Sequence, residues 1–181
     1  MGGIVLLTGN LNKVREAESI LGRTLEHYAL DLEEIQSVTP QDVVAHKINQ
    51  AYAILKKPVF VWDVSLEFEA LNGFPGPLIK FFYETVGLET ICSIINNLKN
   101  TDVTARTTLG YHDGRDVHYF EGVARGRVPK KPQGTHWAWD PIFIPHGKTR
   151  TFAQMSLAEK NEYSMHKKAL EAFRTYLETR A

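Results

Sequence analysis

Two tryptophans, an acid, a lysine and a histidine occur close together near the end of the sequence, and such side chains are suited to binding a nucleobase. A base that stacks on an aromatic ring gains about 1–3 kcal/mol, and a fixed carboxylate can read its hydrogen-bonding edge. Trp137, Trp139 and Asp140 therefore predict a purine pocket. The alternative is that both tryptophans anchor the core or its rim, and that Asp140, which precedes Pro141, starts a turn.

A second candidate site follows the first apolar segment of the chain. Residues 4–7 form a short apolar run typical of a strand, and apolar residues recur at helical spacing after Thr8-Gly9-Asn10. A glycine turn at the start of a helix presents backbone N–H groups and the positive end of the helix dipole, and Lys13 adds a cation. These residues predict a phosphate site. The alternative is that Asn10 only caps the helix and Lys13 is a solvated surface lysine.

These two sites belong to a series of motifs whose order and spacing resemble one known family over nearly the whole chain. The motifs are Thr8-Gly9-Asn10 with Lys13 and Glu16, residues 32–36, residues 61–63, residues 70–77, residues 139–143, residues 151–155 and residues 159–161. The resemblance is to the inosine triphosphate pyrophosphatase-like enzymes, the Ham1-like pyrophosphatases of non-canonical purine nucleoside triphosphates. It implies Mg²⁺-dependent hydrolysis of ITP, dITP and XTP to the monophosphate and pyrophosphate, which would clear deaminated nucleotides.

This hydrolysis needs a water nucleophile, neutralisation of developing negative charge and an oriented leaving group, and carboxylates with Mg²⁺ can supply the first two. The resemblance implies that Glu34 is the metal ligand and that Asp63 activates the attacking water or helps to hold the ion. Carboxylate oxygens are the ligands that Mg²⁺ prefers. Read from the residues alone, Glu34 could instead be a solvated loop acid and Asp63 a capping or turn residue.

The resemblance also implies a set of residues that bind the purine nucleoside triphosphate. The members of this set are Thr8, Gly9, Asn10, Lys13, Lys47, Lys80, Trp137, Trp139, Asp140, Lys160, His166 and Lys167. The lysines at 13, 47, 80 and 160 match positions that contact the triphosphate or the nucleotide. Lys47 could equally lie on the surface of its helix.

The sequence departs from the family pattern at three places, one of which is Trp137-Ala138-Trp139, where an aromatic-glycine-aromatic pattern is usual. Trp62-Asp63 stands where two adjacent acids are usual, which would remove a possible second metal contact and add bulk. His166 replaces the arginine expected to read the six-position oxygen of the purine; it is a shorter donor with pH-dependent charge, and Lys167 could compensate. Two alternatives therefore stay open: a pyrophosphatase with a shifted base preference, and a nucleotide-binding protein with weakened catalysis.

Composition limits the classes of protein to which the chain can belong. Its 181 residues, 43% of them hydrophobic, suffice for a buried core, and we expect residues 1–181 to form a single pyrophosphatase domain. Basic and acidic residues number 21 each, which argues against binding of long nucleic acid through a basic surface. Cys92 is the single cysteine, and no apolar run reaches the roughly 20 residues of a membrane span. We expect a cytoplasmic protein without a membrane partner.

The elements that must position these residues alternate between strand and helix. The pattern predicts strands over residues 25–30 and 59–62, with Asp63 at the carboxyl end of the latter, and a helix over residues 40–55 capped by Thr39. The pattern also predicts a turn over residues 71–77 that leads to a helix with Lys80. It predicts a hairpin of two strands, residues 103–112 and 116–124. We expect His112 and His118, on either side of the hairpin turn, to face solvent. A final amphipathic helix starts at Glu162.

The fold implied by the resemblance is an elongated α/β domain of two lobes. A central, curved, mixed β-sheet flanked by helices would leave a nucleotide cleft between the lobes. The resemblance further implies a homodimer. Phe81, Phe82 and Tyr83 are candidates for its interface, or else they pack their helix into its own core.

Overall fold

Six helices and seven strands make up the regular structure of the residues that the computed structural model describes, 3–135 and 138–180. The strands are β1 (Val5–Leu7), β2 (Glu26–Tyr28), β3 (Val59–Phe68), β4 (Pro75–Gly76), β5 (Asp102–His112), β6 (Val117–Arg127) and β7 (Ile144–Pro145). The helices are α1 (Leu11–Leu21), α2 (Pro40–Leu55), α3 (Ile79–Val86), α4 (Leu88–Asn97), α5 (Leu157–Tyr163) and α6 (Met165–Thr179). The predicted α/β class is therefore confirmed.

The strands form one mixed sheet in the order β2-β1-β3-β5-β6-β7, and β4 pairs with β3. β1 is parallel to both of its neighbours, with Val5 opposite Glu26 of β2 and Val59 of β3. β4 is antiparallel to β3, and β7 is antiparallel to β6. Leu7 is opposite Tyr28, so the turn after β1 lies beside the end of β2 and beside the residues of β3 that follow Phe60.

The chain divides into two compact units. The first unit comprises the residues up to Asp63, residues 107–122 and the residues from His166, and the second unit comprises residues 64–106 and 123–165. Each unit has buried apolar residues of its own, so the two are described separately below.

In the first unit, helices cover both faces of β1 and β3. Successive side chains of a strand point to opposite faces, so each strand contributes to two cores. One core, against α2, contains Val5, Val44, Ile48, Ala51, Val59 and Val61. The other core, against α1 and α6, contains Leu6, Val14, Ala17, Leu21, Leu25, Phe60, Trp62, Leu109, Tyr111, Ala169, Leu170 and Phe173. The near-continuous apolar run of β3 reflects burial on both faces.

The second unit has a single large core of aliphatic and aromatic side chains from α3, α4, the strands and the segment that follows β6. Within it, Phe143 and Phe152 pack with ring centroids 4.7 Å apart. Gly126 allows β7 to approach β6, because a Cβ atom there would lie 2.4 Å from the carbonyl oxygen of Ile144.

α2 has its predicted bounds, with Pro40 in the first turn and Thr39 at the N-cap position. The Thr39 side chain makes no capping hydrogen bond, so the predicted cap is wrong in this detail. The Thr39 N–H instead donates to Ser37 Oγ at 3.0 Å, and that hydroxyl donates to Asp42 Oδ2 at 3.1 Å. A side chain before the helix thus orders its first turn.

Two predicted boundaries are corrected. Asp63 is not at the carboxyl end of its strand, because β3 continues to Phe68. The polar residues beyond Asp63 can remain in a strand because Ser65 and Arg106 both donate to Glu67 Oε1, at 2.8 and 2.9 Å. The final helix starts at Met165 rather than at Glu162, since the backbone of Ser164 is extended and ends α5.

The predicted hairpin is confirmed by β5 and β6, which are neighbours in the sheet and are joined by a short turn. The prediction that its two histidines face solvent is wrong. His112 is buried and stacks on Tyr52 with ring centroids 3.7 Å apart, and His118 Nε2 lies 2.9 Å from Asp113 Oδ2. The ring centroid of His118 lies 4.8 Å from that of Tyr176, so each of the two histidine rings lies against a tyrosine ring.

None of the helices in the described ranges is long and apolar enough to cross a membrane.

Candidate active site

The turn between β1 and α1 has the predicted strand-turn-helix form. Asn10 is the N-cap of α1, and its side chain accepts a hydrogen bond from the Asn12 N–H at 2.9 Å. The Asn10 N–H in turn donates to Thr8 Oγ1 at 3.0 Å. Two of the N–H groups expected to be available for phosphate are therefore used within the turn. The capping role of Asn10 is confirmed, and phosphate binding by Thr8, Gly9 and Asn10 stays a prediction.

Lys13 is not a solvated surface lysine, because its side chain folds back onto β3. Its Nζ donates to the carbonyl oxygen of Trp62 at 3.5 Å and lies over the Trp62 ring, 5.1 Å from the centroid. Burial lowers the pKa of Lys13 below the usual lysine value, although the nearby charge of Asp63 acts in the opposite direction. The cation is thus held at a fixed place at the start of α1.

Glu34, Lys47 and Asp63 form a cluster that the fold assembles from three segments of the first unit. Lys47 Nζ, on α2, donates to Asp63 Oδ2 at 2.7 Å and also contacts Glu34 Oε1. The Lys47 side chain is 13% exposed, whereas that of Glu34 is 67% exposed. Burial alone would lower the pKa of Lys47, but the carboxylates of Asp63 and Glu34 outweigh it and raise that pKa. Lys47 is therefore a charged residue of the cluster.

The donor set of this cluster fits a hard divalent cation. Two carboxylates from different segments already converge on one positive charge, and Mg²⁺ is commonly bound by one or two carboxylates with substrate phosphates and water. No group of three or more His, Cys, Asp or Glu residues suited to a metal occurs among the described residues.

Trp62 and Asp63 point to opposite faces of β3. Trp62 is 2% exposed and lies in the core against α1 and α6, whereas the Asp63 carboxylate contacts Lys47 of α2. Adjacent residues of a strand necessarily alternate in this way. A carboxylate at position 62 would therefore lie on the other face from Glu34 and Asp63. A loss of a second metal contact through Trp62 stays a prediction.

In the second unit, Asp140 and Lys160 form a partly buried ion pair. Lys160 Nζ donates to Asp140 Oδ2 at 2.5 Å and lies 5.2 Å from the centroid of the Phe152 ring. The Asp140 side chain is 12% exposed. The capping box of Ser156 and Glu159, each bonding the other's backbone N–H, starts α5 and fixes the turn from which Lys160 projects. Asp140, predicted to read the base, is thus held in one orientation by Lys160, which was predicted to contact the triphosphate or the nucleotide.

Trp139 packs within the core of the second unit, where its ring meets those of Phe143 at 5.6 Å and Phe152 at 6.3 Å. The alternative reading of Trp139 as a core anchor describes this packing, and a stacking role toward a base stays a prediction. Trp137 lies outside the described residues.

Lys80 is exposed in the first turn of α3, the helix that follows the predicted turn over residues 71–77.

His166 lies in the first turn of α6, with its Nδ1 3.1 Å from Thr107 Oγ1 and its ring 6.3 Å from that of Trp62. Lys167, the next residue, places its Nζ 3.9 Å from Glu171 on the surface of the helix. Sequence reasoning did not identify Thr107 as a neighbour of His166. The two residues are 59 positions apart in the sequence, and β-strand alternation alone could only have placed Thr107 on one face of β5.

The model of the Ham1 family matches residues 4–176 of this chain. An inosine triphosphate pyrophosphatase of Batrachochytrium dendrobatidis is 40% identical over 187 residues, which cover 100% of this chain and 97% of that protein. A dITP/XTP pyrophosphatase of Saccharolobus solfataricus is 37% identical over 180 residues, with coverage of 97% and 94%. Among solved structures, a HAM1 protein from Coxiella burnetii has a TM-score of 0.87 at 23% identity, covers 100% of both chains and supports the fold.

Proposed function

Because this chain belongs to the Ham1 family, we propose that it hydrolyses non-canonical purine nucleoside triphosphates such as ITP, dITP and XTP to the monophosphate and pyrophosphate. Relatives that match nearly its full length are named for ITP and for dITP/XTP. The structural observation that supports catalysis best is the contact of Lys47 Nζ with both Glu34 and Asp63. A protein that only bound nucleotide would gain nothing from two carboxylates beside the phosphates, since like charges repel.

The proposed cofactor is Mg²⁺, held by Glu34 and Asp63. The ion would neutralise charge on the phosphate oxygens as the bond between the α- and β-phosphates breaks. Lys47 and Lys13 are fixed cations of the same unit and would bind the remaining phosphate charge. Asp63 is the proposed general base, because its carboxylate is oriented by Lys47 and can take a proton from the attacking water.

Base selection is proposed for Asp140 and for His166. The Asp140 carboxylate, fixed by Lys160, can accept a hydrogen bond from a purine N–H. A site built to hydrogen-bond an oxopurine leaves buried groups unpaired when adenine takes its place, which gives strong discrimination. His166 is anchored by Thr107 and reaches less far than an arginine, so a shifted base preference is the second candidate.

The chain is further proposed to act in the cytoplasm as a homodimer. Phe81 is 53% exposed and Phe74 is 44% exposed in the second unit, and such aromatic side chains are enriched at interfaces. Phe82 packs against Phe74 with ring centroids 5.5 Å apart, so this candidate interface residue serves the core of its own unit. Phe81 is the member of the predicted trio that is best placed for a partner.

The test is pyrophosphate release from ITP, dITP, XTP, GTP, ATP and pyrimidine triphosphates, with Mg²⁺ and with a chelator. We expect selective turnover of the first three that stops when the metal is removed. Asp63→Asn should lower kcat by about 10²–10⁴-fold, the usual contribution of a general base, while the variant still binds ITP. The matched control is Asp31→Asn, an exposed acid of the segment before Glu34.

Other outcomes assign the protein differently. Turnover of a canonical nucleotide at a rate equal to ITP would favour the shifted base preference. Binding of ITP without release of pyrophosphate under any metal would contradict the hydrolase proposal and favour a nucleotide-binding protein.

A further inference from the structure

Trp62 contacts two residues whose proposed roles lie at opposite ends of the substrate. Its ring lies beneath Lys13 Nζ, 5.1 Å from the centroid, and its carbonyl oxygen accepts a hydrogen bond from the same ammonium at 3.5 Å. The imidazole of His166 lies 6.3 Å away, centroid to centroid, and its plane is inclined by 57° to the indole. One buried aromatic ring therefore supports both a phosphate-binding cation and a base-reading side chain of the first unit.

The contacts are made by the ring and by the backbone, not by the indole N–H. Trp62 Nε1 is buried and has no hydrogen-bond partner in the described part of the chain. A buried donor without a partner is unfavourable, so packing and the ring contacts must offset it. The ring face attracts a cation, and this attraction is strongest at a desolvated site and greater for tryptophan than for phenylalanine.

An aromatic ring holds an ammonium without neutralising its charge. A carboxylate at position 62 would pair with Lys13 and would compete with an anionic ligand for it. The indole leaves the full charge of Lys13 for a phosphate while restricting where the side chain can go. Less rotamer entropy is then lost when a ligand binds.

His166 is held from its other side by Thr107, whose Oγ1 lies 3.1 Å from the imidazole Nδ1. The ring of Trp62 and the hydroxyl of Thr107 together restrict the orientation of the imidazole. Positions 62 and 166, at which the sequence departs from the family pattern, are therefore neighbours in space and form one local arrangement.

We propose that Trp62 is a positioning residue for the nucleoside triphosphate, acting on the phosphates through Lys13 and on the base through His166. The inference rests on the proposed function, because the roles of Lys13 and His166 come from it. It goes beyond that function by assigning a task to a residue that is buried and does not itself touch substrate.

The experiment measures binding of inorganic tripolyphosphate, a phosphate-only probe, to the full chain in the presence of chelator, together with kcat and KM for ITP. Trp62→Leu keeps an apolar core residue and removes the ring. We expect its affinity for tripolyphosphate to fall by about 3- to 30-fold, the range of a partly desolvated cation–π contact, and KM for ITP to rise in parallel with a smaller change in kcat. Trp62→Phe should show a smaller loss.

Two controls separate positioning from packing. Phe173→Leu alters the same core at a fully buried ring that contacts Phe60 and Tyr111, and it should leave tripolyphosphate affinity unchanged. In a Lys13→Met background, Trp62→Phe should have no further effect on tripolyphosphate binding, because the residue through which it acts is gone. This second comparison still tests the inference if Trp62→Leu does not fold.

The inference is overturned if folded Trp62→Leu binds tripolyphosphate within twofold of wild type, if Phe173→Leu weakens binding equally, or if Trp62→Phe has the same effect with and without Lys13. Failure of the proposed function gives a different result. A wild-type protein that binds tripolyphosphate but does not hydrolyse ITP would refute the hydrolase and leave the tripolyphosphate comparisons valid.

Discussion

Lys47 contacts both Glu34 and Asp63, the two carboxylates proposed to hold Mg²⁺. Replacing it with Lys47→Gln should destabilise the fold by roughly 1–3 kcal/mol, less than for a fully buried pair because Glu34 is mostly exposed. Mg²⁺ should then raise the melting temperature of the variant more than that of wild type, because ions that bind only the folded state stabilise it. Thermal unfolding with and without Mg²⁺ measures both effects.

The matched control is Lys57→Gln, which removes a lysine that pairs with Glu26 at 2.9 Å on the surface. An exposed pair contributes little to stability, so this variant should melt close to wild type and respond to Mg²⁺ as wild type does. An equal Mg²⁺ response of the two variants would contradict a metal site at Glu34 and Asp63.

At the scale of single residues, the sequence named candidate site residues but not all of their neighbours in space. Glu34, Lys47 and Asp63 were named from residue type and resemblance, and the structure brings them together. The contact of Lys13 with Trp62 was not predicted, because 49 residues separate them and the contact exists only once α1 packs on β3. A motif identifies which residues to examine, whereas packing decides what each of them touches.

Among the elements, the β5–β6 hairpin depends on one carboxylate in its turn. Asp113 Oδ1 accepts hydrogen bonds from the N–H groups of Arg115 and Asp116 at 2.8 and 2.9 Å, and its Oδ2 lies 2.9 Å from His118. These bonds, of which the backbone bond from Asp116 and that from His118 contribute most, hold the pKa of Asp113 well below its usual range. Asp113→Ala should therefore lower the free energy of unfolding by about 1–2 kcal/mol at neutral pH, measured by urea denaturation.

The pH dependence of this effect has a definite sign. A carboxylate whose pKa is lower in the folded state stabilises it fully above the unfolded pKa, about 3.9, and loses that contribution as pH falls toward the folded pKa. The difference between wild type and Asp113→Ala should shrink below about pH 3.9. Asp116→Ala, an exposed acid in the same turn, should show a small effect at every pH. A difference that grew on acidification would contradict the role of Asp113.

Sequence patterns located many of the elements, but not all of them and not all of their ends. α2 was predicted with its correct bounds because Pro40 is favoured at the first helical position. The end of β3 was missed because charged residues ordinarily suggest a turn, and here Glu67 is neutralised by Arg106. The separate α5 was also missed, although Ser156 and Glu159 have the capping-box spacing that could have revealed it.

At the scale of the whole molecule, the sequence showed no linker, and the path of the chain explains why. The chain passes between the two units at residues 63–64, 106–107, 122–123 and 165–166, so each unit is assembled from separate segments. Three of these passages lie inside β3, β5 and β6, where the pattern of apolar residues continues without interruption. Pro-, Gly- or Ser-rich linkers join units that are each continuous in sequence. Neither unit of this chain is continuous, so the sequence has no such linker between them.

Association of two chains is the remaining prediction for the whole molecule. Phe81 exposes 53% of its surface on α3, and truncating an aromatic anchor of an interface commonly costs 2 kcal/mol or more, about a 30-fold loss in affinity. Phe81→Asp should therefore sediment at micromolar concentration with the 20.5 kDa mass of one chain, whereas wild type should show about twice that mass. Ile54→Asp is the matched control, since Ile54 is 58% exposed on α2 and should leave the mass unchanged. A wild-type monomer would refute the homodimer, and a dimer that survives Phe81→Asp would place its interface on another surface, away from Phe81.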